Sequence, residues 1–266
     1  MTMNPTADEL LAAVQRSPDA VAVHDRERWV SLYSSGGTVN DPVGSQPHVG
    51  RHAIGRFYDT FIAPNTITFR VDHDIVCGTT VVRDLTVVTE MSTGVVLQVP
   101  MHLRYDLVEE GGALAIHRLY AHWELPSMMV QLAKSGRDGL VASSRLGPQL
   151  LGNQGVAGAV GFMKGFRRVG ARAKSNVTAF VDAARRGDVE AARALLSPGA
   201  VVEVPFGVPT SIEEAGAVLR EARLHKLIAA GRTVTASVDF GGDSHGVALF
   251  EFAGRGNKVD RVQIFR

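Results

Sequence analysis

The sequence predicts an α+β protein: two tandem cone-shaped domains, each a curved antiparallel sheet wrapped on helices, the second copy shortened. Three observations predict it. Up to Tyr33, and again at residues 54–61, apolar side chains keep helical spacing, whereas from Ile67 onward runs rich in Val, Ile, Thr and Leu are separated by Gly and Ser. Helices followed by an antiparallel meander is the order of an α+β fold. Laid over itself so that Val39 falls on Val202 and Asp41 on Val204, the chain shows an internal repeat.

Length and composition agree with two domains. A chain of 266 residues accommodates two units of about 100–150 residues each. With 28 Lys and Arg against 27 Asp and Glu there is no strong field for nucleic acid. The single cysteine, Cys77, excludes an internal disulfide framework and fits a reducing compartment. No secretory leader is visible at the start of the sequence, and no stretch reaches about 18 uninterrupted apolar residues. The expectation is a cytoplasmic protein with no integral membrane span.

Thr6 and Glu9 form a capping box ahead of Leu10, Leu11 and Val14, so a first helix starts there and is expected to stop before Pro18. A second helix is expected from Asp19 or Asp25 into Trp29, Val30, Leu32 and Tyr33. Thr38 and Val39 then lead to Asp41. The following proline disfavours helix at that residue, so Asp41 belongs at the extended end of a strand. Pro42, Gly44, Pro47 and Gly50 mark a turn-rich loop, after which Ile54, Phe57, Tyr58 and Phe61 fall on one buried helix stripe, ended by Pro64. Four strand-like runs follow, at 67–78, 79–91, 95–110 and 113–125. Spacing alone leaves two roles open for Asp41: a partly desolvated general base, or a residue capping the turn through its own backbone.

Residues 127–174 hold nine of the 28 glycines, with scattered Met, Leu, Lys and Arg. Each interior glycine costs a helix about 1 kcal/mol against alanine, so helices here depend on packing. The run 156–174 reads as a helix folded over one domain, or as a basic amphipathic helix touching anionic lipid. Beyond it, Val177, Phe180, Val181 and Ala184 keep helix spacing after a Ser175 cap, Ser211 and Glu214 make a second capping box, and strands are expected at 233–240, 246–253 and 259–265. The expected domains are therefore residues 1–128, a Gly-rich helical linker at 129–174, and a degenerate copy at 175–266. In that copy Val204 stands where the first has Asp41, and valine moves no proton.

The stretch 33–58 resembles the ketosteroid isomerase (steroid delta-isomerase) family of the nuclear transport factor 2-like superfamily. The residues that carry the resemblance are Tyr33; Thr38, Val39, Asp41, Pro42 and Gly44; Pro47, Gly50 and Arg51; and Phe57 with Tyr58. The resemblance implies a cofactor-free isomerase that shifts a β,γ double bond of a steroid-like ketone into conjugation, with Asp41 as the proton-shuttling base. It places Tyr33 and Tyr58 behind the oxyanion donor. Trp123 falls beside the base on the last strand, where alternation also puts it on the apolar face with Leu119 and Ala121. Phe57, Phe61, Met101 and Leu103 are the expected substrate-binding residues.

Two departures qualify the implied mechanism. The family's oxyanion tyrosine lies on the first helix, in a neighbourhood where this chain has Val14, Gln15, Arg16, Ser17 and Pro18. The family's protonated aspartate falls on Met101 or Leu103. Tyr33, Tyr58 or His102 are the donors left to consider, although alternation puts His102 with Arg104 and Asp106 on the more polar face. Removing an oxyanion donor costs about 10²–10³ in rate, so the alternative is a non-catalytic binding module for a steroid-like or other apolar small molecule. Limonene-epoxide-hydrolase-like relatives use two carboxylates and an arginine. Arg83 and Asp84 are adjacent on a strand and face opposite ways, which fits a surface or dimer-face pair better. In the cluster Asp72, His73, Asp74 only the two aspartates share a face, so no metal site is expected. No nucleotide-binding glycine motif or serine-nucleophile motif is present. The expected partner is an apolar small molecule. A homodimer and an intrachain pseudo-dimer of the two cones both remain open.

Overall fold

The capping box at Thr6 opens α1 (Ala7–Ala22): the Thr6 hydroxyl accepts from the Glu9 N–H, and the Glu9 side chain accepts from the Thr6 N–H. The computed structural model describes residues 5–253 and 257–266. Contrary to the expectation from local propensity, Pro18 does not end this helix, and α1 runs through it to Ala22. An interior proline forgoes one backbone hydrogen bond and costs about 3 kcal/mol. Here Ser17, Pro18, Ala20 and Val21 are all buried, and packing of that last turn outweighs the local cost. Asp25, not Asp19, caps α2 (Arg26–Ser31), its carboxylate accepting from the Arg28 N–H at 2.9 Å. Tyr33 opens β1 (Tyr33–Asn40) rather than closing the helix.

The two-residue strand β2 (His48–Val49), α3 (Gly50–Phe57) and a π-helical turn (Tyr58–Ile62) follow. The meander is β3 (Asn65–Cys77), β4 (Thr80–Met91), β5 (Val96–Glu110) and β6 (Ala113–His122). These strands form one six-stranded sheet in the order β2-β1-β6-β5-β4-β3. All its pairings are antiparallel except β1 with β6, which is parallel. Helices α4 (Leu125–Lys134) and α5 (Gly136–Met163) then cover the apolar face. α5 is broken at Gly155, whose φ of 67° is the left-handed value that favours glycine. Within the Gly-rich stretch, Leu132, Ala142, Leu150 and Phe162 are buried in the same core as Val14, Trp29 and Tyr58. By its contacts the chain divides after Phe166, and the second unit runs Arg167–Arg266.

The second unit repeats the plan. It has α6 (Ala171–Arg185), α7 (Val189–Ala194), β7 (Leu196–Glu203), α8 (Ile212–Leu219), β8 (Arg223–Ala230), β9 (Thr233–Asp239), β10 (His245–Phe252) and β11 (Val259–Phe265). In the alignment that lays Asp41 on Val204, α2 falls on α7, β1 on β7, and the capping Asp25 on the capping Asp188. The sheet order β7-β11-β10-β9-β8 reproduces that of the first unit without β2, again with its first long strand parallel to its last. Ser175 does not cap α6. Gly170 occupies that position, and the Ser175 hydroxyl donates back to the Ala171 carbonyl at 3.2 Å. Val204 is buried in a core of its own with Phe180, Phe250 and Phe252.

Candidate active site

The parallel pairing of β1 with β6 builds the site. Val39 lies opposite Leu119 and Asn40 opposite Tyr120, so both strands run off the same edge together. Asp41 follows the last residue of β1, and the Val43 N–H donates to the Ala121 carbonyl at 2.9 Å. Trp123, just past β6, then donates its indole N–H to Asp41 Oδ1 at 2.6 Å. Asp41 is half-buried and faces a cavity of about 170 Å³. Burial pushes its carboxyl up to about 6, against the Trp123 hydrogen bond, which favours the charged form. A carboxylate so placed is ionised at neutral pH and more basic than one in water. It can take and return a proton.

The cavity is apolar. The polar side chains on its wall, besides the two indoles, are Ser17, Asp41, Asn65, Thr89 and Tyr105. Of the residues expected from the sequence, Asp41, Trp123, Phe57, Phe61, Met101 and Leu103 all line it. Tyr33, Tyr58 and His102 do not. Tyr33 and Tyr58 are buried with hydroxyls that reach no hydrogen-bond partner, their rings packed 4.9 and 5.5 Å from that of Trp29. His102 points to the opposite face of β5, its Nε2 3.4 Å from Asp84 Oδ1. On that face burial also holds His122 down to about 3, so it is neutral.

Tyr105 is the residue that sequence reasoning missed. It shares the parity of Met101 and Leu103 on β5, so alternation carries the signal, but the resemblance points only to the other two. Its neighbours suit a hydrogen-bond donor. The Ser17 hydroxyl accepts the Trp29 indole N–H at 3.0 Å and lines the cavity with Tyr105. Burial pushes the phenol up to about 12, opposed by the nearby Arg83 guanidinium and by Ser17. Tyr105 therefore keeps its proton at neutral pH.

Arg83 corrects a further expectation. It and Asp84 do face opposite ways, but neither is a surface residue: their side chains are 3% and 5% exposed. Arg83 points inward, with Nε donating to Asp74 Oδ1 at 2.9 Å and Nη2 to Gln15 Oε1 at 2.9 Å, while Nη1 is buried without a partner. A register shift in β3 between Val71 and His73 aligns Asp74 opposite Arg83. Among the described residues no group of His, Cys, Asp and Glu is arranged to hold a metal ion.

Comparison with known proteins agrees with this architecture. Residues 14–117 match the SnoaL-like domain family. That domain has the nuclear transport factor 2-like fold and covers only the first of the two units. Among solved structures, a Δ5-3-ketosteroid isomerase from Mycobacterium sp. is 28% identical, over 45% of this chain and 96% of its own, with a TM-score of 0.41. A Mycobacterium tuberculosis protein in complex with estradiol-17β-hemisuccinate is 27% identical, over 45% of this chain and 96% of its own, with a TM-score of 0.41. A computationally designed 17-OHP binder is 25% identical, over 45% and 95%, also at 0.41.

Proposed function

We propose that the first unit is a cofactor-independent isomerase of a steroid-like ketone, with Asp41 as its base. The observation that carries the reading is a single carboxyl, raised to about 6 by burial, on the wall of an apolar cavity that also presents the neutral phenol of Tyr105. Asp41 removes a proton from the carbon between the carbonyl and the double bond. The electron pair of that C–H bond becomes a double bond to the carbonyl carbon as the C=O π pair moves onto oxygen, where Tyr105 donates a hydrogen bond to the developing charge. Protonated Asp41 returns the proton two carbons along, and the electrons flow back to leave a conjugated enone. Nothing is consumed. Ser17 and the partnerless Nη1 of Arg83 favour negative charge near the phenol, and Trp123 steadies the ionised base.

The cavity is small for this substrate. At about 170 Å³ it lies below the roughly 300–1,000 Å³ of ordinary small-molecule sites. Met128, Leu132 and Phe162 close it from α4 and α5, so a four-ring ketone requires those helices to shift outward. The test is Asp41→Asn with a 5-ene-3-ketosteroid. Turnover by the wild-type chain that vanishes in the variant, with steroid binding retained, supports the reading. Steroid binding without any wild-type turnover identifies a binding module instead.

A further inference from the structure

The helices that close the cavity have a second face with no assigned role. Eight of the large apolar side chains exposed among the described residues lie within residues 125–166, among them Leu140 at 72%, Val156 at 72% and Val160 at 58%. Five of the eight follow the helix period. Leu140 and Leu151 stand whole turns apart on one side of the break at Gly155, and Val156, Val160 and Met163 fall at i, i+4, i+7 on the other. Soluble chains seldom gather exposed apolar residues in this way without a partner for them.

Charge says what kind of partner. Residues 125–166 carry four Lys and Arg, at 134, 137, 145 and 164, against one acid, Asp138. That leaves 24 of the 28 basic and 26 of the 27 acidic residues elsewhere, so the segment with the exposed apolar side chains is net positive while the rest of the chain is slightly acidic. A second copy of the chain is a poor occupant, because a two-fold contact through this face would set like charge against like. Among the described residues no helix is long and apolar enough to cross a membrane. An apolar stripe flanked by Lys and Arg on a helix broken by glycine fits the plane of an anionic bilayer surface.

We infer that α4 and α5 dock on anionic lipid bilayers, the exposed stripe entering the headgroup boundary and the basic residues meeting lipid phosphates. Met128, Leu132 and Phe162 line the cavity from these same helices, so the docked face backs directly onto the wall that must shift to admit a ligand.

The test uses the full chain without steroid, so it is independent of the isomerase reading. Flotation is measured with vesicles of phosphatidylcholine alone and with 30 mol% phosphatidylglycerol, roughly the anionic content that makes such charges count. The expected result is salt-sensitive flotation with the anionic vesicles only. Val156→Ser with Val160→Ser should weaken it at least about tenfold, and Lys134→Gln with Arg137→Gln about fivefold per charge. Because both pairs are exposed, circular dichroism should show unchanged folding. Failure of the wild type to float, or flotation indifferent to both lipid charge and the paired substitutions, overturns the inference. So does a concentration-dependent dimer in sedimentation velocity that the valine substitutions abolish, since the stripe then serves a second copy.

Discussion

Removing the charge at Asp41 should stabilise the protein, and the size of the effect follows from the site. The carboxyl is raised from 3.8 to about 6, a change of about two units, and each unit is worth about 1.4 kcal/mol. The sign follows from proton counts. Below about pH 4 the group is protonated folded and unfolded, and contributes nothing. Between about 4 and 6 the unfolded chain has released the proton while the folded one still holds it, so wild-type stability falls as pH rises. Above about 6 the loss is complete, at most about 3 kcal/mol. An asparagine in its place would carry no such cost and would still accept from the Trp123 indole. Asp41→Asn should therefore match wild type at pH 4 and exceed it by up to about 3 kcal/mol at pH 8. His48 and His122, held neutral by burial, pull the other way on acidification, but equally in both proteins, so the difference isolates Asp41. Urea unfolding followed by tryptophan fluorescence reads the right unit, because Trp29 and Trp123 are the chain's two tryptophans. A variant no more stable than wild type at pH 8, or a difference that does not change with pH, would refute the reasoning.

Two further substitutions separate the roles within the cavity. Tyr105→Phe should lower kcat for a 5-ene-3-ketosteroid by about 10²–10³ while KM changes much less, because the donor acts on charge that develops in the transition state; steady-state kinetics will show whether kcat falls alone. Trp123→Phe removes the donor that favours ionised Asp41, so the midpoint of the pH–rate profile should move above about 6, a shift visible even if the plateau rate is little changed.

Much of the first unit was legible because strand parity and helix period are local. The family resemblance put Asp41, Trp123, Met101 and Leu103 in one pocket, the proline put Asp41 at a strand end and alternation put Trp123 on the apolar face, and all four line the cavity. What escaped depended on distant partners. Alternation reaches Tyr105, but its nearness to Ser17, far back on the first helix, has no signal within its own strand. Arg83 went inward because a register shift on a neighbouring strand supplied Asp74, and no spacing rule within its own strand reveals such a shift. β8 was missed for a related reason: its pairing with β9 shifts between His225 and Ile228, and Lys226 has a φ of 37°, which erases the alternation. Pro18 misled because a buried last turn can carry a proline that local propensity forbids.

The central claim is that the Asp41 carboxyl is desolvated enough to serve as a base yet ionises near neutrality. Carbon-13 NMR of aspartate-labelled protein, with the Asp41 carboxyl assigned by its absence in Asp41→Asn, measures this directly. A titration midpoint near 6 is the expected result. A midpoint near the 3.8 of a solvated aspartate would contradict it.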